Sequence, residues 1–195
     1  HTLFKGTNRG LAAKCLETAR ADWNDIVPTL QSGWAERGGG RGSYQPNTLL
    51  TASWGAVAAM RLHEATGDAS YLERAAGFGR VIMDCQQRAF ADGIPVTGFF
   101  YSSPQKQSLV HYNHFSFEES PLVGLAALCQ ALPDHPDWMQ WYGAATLHAE
   151  HFLKRGAQHT APYAMLPAGI YTRSEIEQAT GFDGFGISRN LKFDE

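Results

Sequence analysis

Two connections in this chain are short and three are long, and that imbalance limits what it can fold into. Thr66-Gly67-Asp68 and Pro133-Asp134-His135-Pro136 are tight turns between apolar segments. Residues 28–46, 88–119 and 156 onward are instead long linkers loaded with His, aromatic and carboxylate side chains. Loops beyond ~12–15 residues in a compact domain are usually functional or disordered. Alternating plain and elaborate connections predict a toroid of helical hairpins, with plain turns at one end and a working face at the other.

The apolar spacing supplies the hairpins. Residues 47–66, NTLLTASWGAVAAMRLHEAT, are apolar or small on nearly every side, the pattern of a helix surrounded by helices. Asn47 is placed to cap it and Gly67 to end it. Residues 68–87 carry Tyr71, Leu72, Ala75, Phe78, Ile82 and Cys85 on one face and Glu73, Arg74, Arg80 and Asp84 on the other. The pair then repeats after about 70 residues. Residues 120–132 are again apolar all round and open on Ser-Pro, and residues 137–154 hold Trp138, Trp141, Ala145, His148 and Phe152 in one stripe. An earlier amphipathic helix over residues 8–26, with Leu11, Cys15, Ala19 and Trp23 on one face, precedes the first buried helix, and Pro28 is expected to end it. Trp54, Trp138 and Trp141 have helical spacing and are expected in the core. Residues 93–101 predict a short β-hairpin or an extended edge, and residues 187–195 read as the approach to a further helix.

Composition removes several classes of function. The chain has 195 residues, 44% hydrophobic and 18% charged, enough to bury a core, and its formal charge of −3 offers no general attraction for phosphate backbones or anionic lipid. Nucleic acid is not an expected partner. The longest apolar runs are too short to cross a bilayer, and residues 1–10 lack an apolar signal core. A secreted or periplasmic location in a bacterium is compatible with this, because a signal is removed on export. Cys15, Cys85 and Cys129 lie far apart inside helical segments with no CxxC pair, so buried free thiols are expected.

The string HEATGDASYLERAAGFGRVIMDCQ, with its Ala-Thr-Gly-Asp turn, resembles the hairpins of six-hairpin, (α/α)6-toroid glycosidases, as does FEESPLVGLAALCQALPDHPDW. The likeness extends over residues 47–171 and is loosely to bacterial proteins related to glycoside hydrolase family 9. It implies an all-α fold: helical hairpins of an (α/α) toroid, an incomplete (α/α)6 barrel with long loops at one end. Residues 1–195 are then a single domain or a fragment of a larger catalytic domain. The Asp-Ala-Gly-Asp motif of family 9 is missing, and Asp22-Trp23-Asn24-Asp25 is only a loose analogue.

Glycoside cleavage needs two carboxyl groups across the bond, about 5–5.5 Å apart for retention or ~6.5–9.5 Å for inversion. Asp22 and Asp25 share a helix face near the expected entry to the bowl, with Trp23 beside them as a sugar platform. The second place is His111-Tyr112-Asn113-His114-Phe115-Ser116-Phe117-Glu118-Glu119-Ser120-Pro121. There Glu118 or Glu119 is a candidate general acid, while His111, Asn113 and His114 bind sugar hydroxyls or steady the carboxylate. Against this, a Glu at a helix start is favoured by the helix dipole alone, and acidic residues on a last turn are ordinarily solvated surface. Trp34, Tyr44, Phe100 and Tyr101 fall in the loops and are candidate stacking partners for sugar faces. His111 and His114 have an i, i+3 spacing but no third ligand, so neither a metal nor a cofactor is expected. The expected partners are a carbohydrate substrate and either a second copy of the chain or the remainder of the domain.

Two other functions compete with hydrolysis. A polysaccharide lyase acting on a uronate-containing glycan would use Tyr112, His111 or His114 to move protons and Asn113 to neutralise the carboxylate. A helical-repeat scaffold would bind a protein with no chemistry.

Overall fold

The computed structural model describes residues 4–31, 48–90, 94–106, 120–159, 162, 164–166, 169–172 and 190–193. These residues are predominantly helical. Five α-helices follow in order: α1 Arg9–Gln31, α2 Thr48–Thr66, α3 Ser70–Asp84, α4 Ser120–Ala131 and α5 Trp138–Leu147, the last continued by a π-helical turn over His148–Lys154. Two short strands, β1 Gly169–Thr172 and β2 Asn190–Phe193, pair in parallel with Ile170 opposite Leu191. The end of the chain therefore contains a strand where an approach to another helix was expected. The residue types of β1 and β2, including Ile170, Tyr171, Thr172 and Phe193, favour an extended backbone.

Both tight turns sit where the spacing places them. Gly67 leaves α2 at φ +75, a conformation that costs glycine little, and its N–H closes the helix on the His63 carbonyl at 2.7 Å. In the second turn His135 donates its N–H to the Leu132 carbonyl, and its ring stacks on Trp141 with centroids 4.6 Å apart. Trp138 Nε1 donates to the Cys129 carbonyl at 2.9 Å, tying the start of α5 to the end of α4.

The core lies between α2, α3, α4 and α5. Ala56, Ala59, Ala75, Ile82, Leu125, Leu128 and Trp141 are buried in it. Each large apolar side chain so buried contributes roughly 1.5–3 kcal/mol. Small residues set the helix spacing: a β-carbon on Gly124 of α4 would stand 3.1 Å from the Ser53 Cα of α2. The contacts also fix direction. Gly79 and Ile82 of α3 meet Leu128 and Gly124 of α4, so these two run antiparallel. Arg80 of α3 reaches Asp137 while Gln86, just beyond α3, reaches Ala144, so α3 and α5 run the same way.

Three local expectations are corrected. Helix α1 does not end at Pro28 but runs through it to Gln31, so the helix lacks the N–H that would bond the Asn24 carbonyl. Its buried face carries Ala12, Leu16, Trp23 and Val27, while Leu11 and Ala19 are exposed. The predicted stripe thus holds at Trp23 but is one residue off in the first half of the helix, where Ala12 and Leu16 take the places expected for Leu11 and Cys15. Trp54 is 48% exposed, on the side of α2 shared with Ala58 and Arg61, rather than in the core. Trp141 is buried and Trp138 packs partly buried against it, as their spacing predicts. Cys85 is a buried free thiol; Cys15 and Cys129 are free but only half-buried.

Candidate functional site

Residues 94–106 form a strap that binds together helix ends from three parts of the chain. On one side its backbone pairs with the residues that leave α3. Gln87 N–H donates to the Phe99 carbonyl, Gly98 N–H to the Gln87 carbonyl and Tyr101 N–H to the Cys85 carbonyl, each at 2.8 Å, around an antiparallel bridge between Gln86 and Phe100. This is the extended edge expected for residues 93–101, paired to α3's tail rather than folded back as a hairpin. Ser102 offers its carbonyl to the Leu49 N–H at 3.0 Å, satisfying one of the free donors at the start of α2. Thr97 N–H reaches the His151 carbonyl in the π-helical turn that follows α5. The strap thus lies where α2 begins and where α3 and α5 end.

Side chains lock it there. The Gly98 carbonyl accepts from Gln86 Nε2 at 3.1 Å and is 2.8 Å from His148 Nδ1. Gln86 Nε2 also donates to the Ala144 carbonyl at 2.8 Å, leaving its Oε1 buried without a partner. Two carbonyls facing one nitrogen fix the orientation of that amide. Thr97 Oγ1 donates its one hydrogen to the Ala89 carbonyl at 2.8 Å and lies 3.1 Å from that of Gln87. Beneath the strap, Val96, Phe99 and Phe152 form a second small core. Burial lowers the His148 imidazole to about 4, the Gly98 hydrogen bond pulling the other way.

Two cations stand on the outer side of the same helix end. Arg88 Nη2 donates to the Met83 carbonyl and Lys106 Nζ to the Gln86 carbonyl, at 3.1 and 2.9 Å. Both complement the negative end of α3. With Asp84 and Gln87 they line a shallow groove of about 320 Å³. Lys106 sits at φ +55, and residues 107–119 follow it in the chain.

The expected site residues divide into three groups. Trp34, Tyr44, His111, Asn113, His114, Glu118 and Glu119 lie outside the described residues. Tyr101 is in the strap, half-buried, with its ring 5.7 Å from that of Phe99, whereas Phe100 beside it is buried against His148 and offers no open face to a sugar. Asp22 and Asp25 are exposed on α1. The Ser70 N–H and hydroxyl hold the Asp68 carboxyl below its ordinary range, and Arg20 adds a smaller pull. Arg20 is therefore close to the plain turn between α2 and α3. At ~1.5 Å per residue, Asp22 and Asp25 come only about 3 and 7.5 Å further along the α1 axis. Trp23 meets Tyr71 edge-on at 5.7 Å and Phe78 at 6.1 Å, so this stretch of α1 lies along α3 from Tyr71 to Phe78.

Trp23 is also not the open platform its neighbourhood suggested. It is 8% exposed and meets both rings edge-on, so it serves the core. Asp22 instead borders a shallow groove along α1 with Leu11, Lys14, Cys15 and Thr18. Among the described residues no three His, Cys, Asp or Glu side chains gather to hold a metal ion. No helix among them is long and apolar enough to cross a membrane.

Gln86, Gly98 and Lys106 went unremarked in the sequence, and His148 was read only as part of a packed stripe. Their one sequence signal is the Thr97-Gly98 pair inside an apolar run, where a glycine marks a close backbone approach. Comparison with protein-family models, with curated proteins and with solved structures finds no match for this chain.

Proposed function

We propose that this chain is a carbohydrate-active domain of the (α/α)-toroid kind, with α2 and α4 as inner helices and α1, α3 and α5 as outer ones, and that it hydrolyses glycosidic bonds. The observation that supports this most is the strap. It gathers the start of α2 and the ends of α3 and α5 at one end, opposite the plain turn after α2. The connection that carries His111, Asn113, His114, Glu118 and Glu119 leaves from this strap at Lys106 and enters α4 at Ser120.

In this proposal Glu118 or Glu119 protonates the leaving oxygen, and a second carboxylate activates water or attacks the sugar. Asp22 and Asp25 are the weaker choice for that partner, because Trp23 between them meets Tyr71 and Phe78 of α3 and not the strap. Tyr101, Trp34 and Tyr44 supply stacking surface, with His111, Asn113 and His114 on the hydroxyls. Arg88 and Lys106, two cations on the same end, favour an acidic glycan as a second reading, cleaved by β-elimination.

Mass-spectrometric screening of neutral and uronate-containing oligosaccharides with the protein tests both. Hydrolysis adds the mass of water to the products. Elimination gives an unsaturated product that absorbs in the ultraviolet. A panel left intact throughout would end the enzymatic proposal.

A further inference from the structure

We infer that His148 is a latch that holds the 94–101 segment across the helix ends in its neutral form, and that acid releases it. The imidazole is 1% exposed and sits between the rings of Phe100 and Phe152, with centroids 5.0 Å away on each side. A carbonyl only accepts, so the 2.8 Å contact with Gly98 requires the hydrogen on Nδ1. In the neutral ring Nε2 then carries none.

A second proton at Nε2 would place a full charge among aromatic rings, which is costly without a facing anion. The elements packed around the ring carry few titratable groups. At the end of α3 these are the exposed Asp84 and Arg88, and the buried Cys85, whose thiol burial holds neutral. The strap contributes Tyr101 and Lys106, and α5 contributes Tyr142. In the π-helical turn, Glu150 is exposed and paired with Lys154 at 2.7 Å, and His151 is exposed. No described carboxylate therefore stands against His148. The charged ring gains water by parting from the strap, which is also tied by the short ladder to residues 85–87, by Gln86 on the Gly98 carbonyl, and by Thr97 through its hydroxyl and its N–H bond to His151.

The sign follows from linkage. Closed, the ring titrates near 4; opened, it returns to its ordinary 6.5. Between these values the open form binds the extra proton, so the latch is fully closed above about 6.5 and weakens as the pH falls toward 4. The inference holds whether or not the chain cleaves sugars.

Hydrogen exchange on the full chain, with each rate corrected for intrinsic exchange at its pH, tests it. Between pH 6.5 and 4, protection of the Gly98 and Tyr101 amides should fall roughly 100-fold, well beyond any change at Leu125 and Leu128 in the core. His148→Gln keeps a donor for Gly98 but cannot titrate, so it should abolish that fall. An equal fall in the variant, or flat protection in the unaltered protein, overturns the latch. An NMR titration of the unaltered protein decides independently of that variant: a His148 ring that protonates near 6.5 while the strap stays protected also overturns it.

Discussion

Gly98 passes so close to Leu147 that a β-carbon at Gly98 would stand 2.5 Å from the Leu147 carbonyl oxygen. The residue is also at φ +85, where L side chains are strained. Neither contact can yield cheaply, since both sides are backbone. Gly98→Ala should therefore destabilise the protein by about 2–4 kcal/mol, read from the midpoint of a urea denaturation. A variant as stable as the parent would mean that strap and helix are not in contact.

Gly143 gives the opposite expectation. It lies inside α5, and a β-carbon there meets nothing within 4 Å. Gly143→Ala should stabilise by roughly 0.5–1 kcal/mol, because alanine loses less backbone entropy in a helix. A loss of stability in the same titration would show that this face of α5 is covered.

The two tryptophans whose roles differ from expectation make a paired test. Trp23 fills the space between α1 and α3, so Trp23→Ala should cost about 3–5 kcal/mol. Trp54 is half in water, and Trp54→Ala should change stability by less than about 1 kcal/mol. Equal losses would return Trp54 to the core.

Thiol labelling reports the same packing without mutation. Cys85 is buried, and burial, with a smaller contribution from the Asp84 charge, pushes its thiol up to about 12 against a weaker pull from Lys106. The reactive thiolate is therefore scarce at neutral pH and unreachable in the native state. A maleimide should modify the half-buried Cys15 first and Cys85 only after unfolding in urea. Labelling of Cys85 at the Cys15 rate in native protein would contradict the burial described for the end of α3.

Much of the helical layout is legible in the sequence because apolar periodicity is strong and two turns carry their own chemistry, Gly67 and the Pro133 to Pro136 string. Periodicity says less about which apolar face is covered. That is why Trp54 was expected inside, and why the α1 stripe was placed on Leu11 and Cys15 instead of Ala12 and Leu16. The strap was partly visible as an extended apolar run. Its lock was not, because His148 lies 50 residues from Gly98, and Gln86 lies 58 from Ala144, with no motif linking them. The level of Asp22 depended on where α1 ends, and the one signal used for that, Pro28, sits inside the helix.

The strap end, not the plain-turn end, is the proposed working face, and a carboxylate series distinguishes the two. Once a cleaved oligosaccharide is in hand, kcat should be measured for Glu118→Gln, Glu119→Gln, Asp22→Asn and Asp25→Asn, with each fold checked by circular dichroism. Removing a general acid lowers the rate by roughly 10²–10⁴-fold, and at least one of the two Glu variants should show that loss while both Asp variants stay near the parent rate. Turnover that survives both Glu changes and disappears with Asp22→Asn would put the chemistry on α1 and not at the strap end.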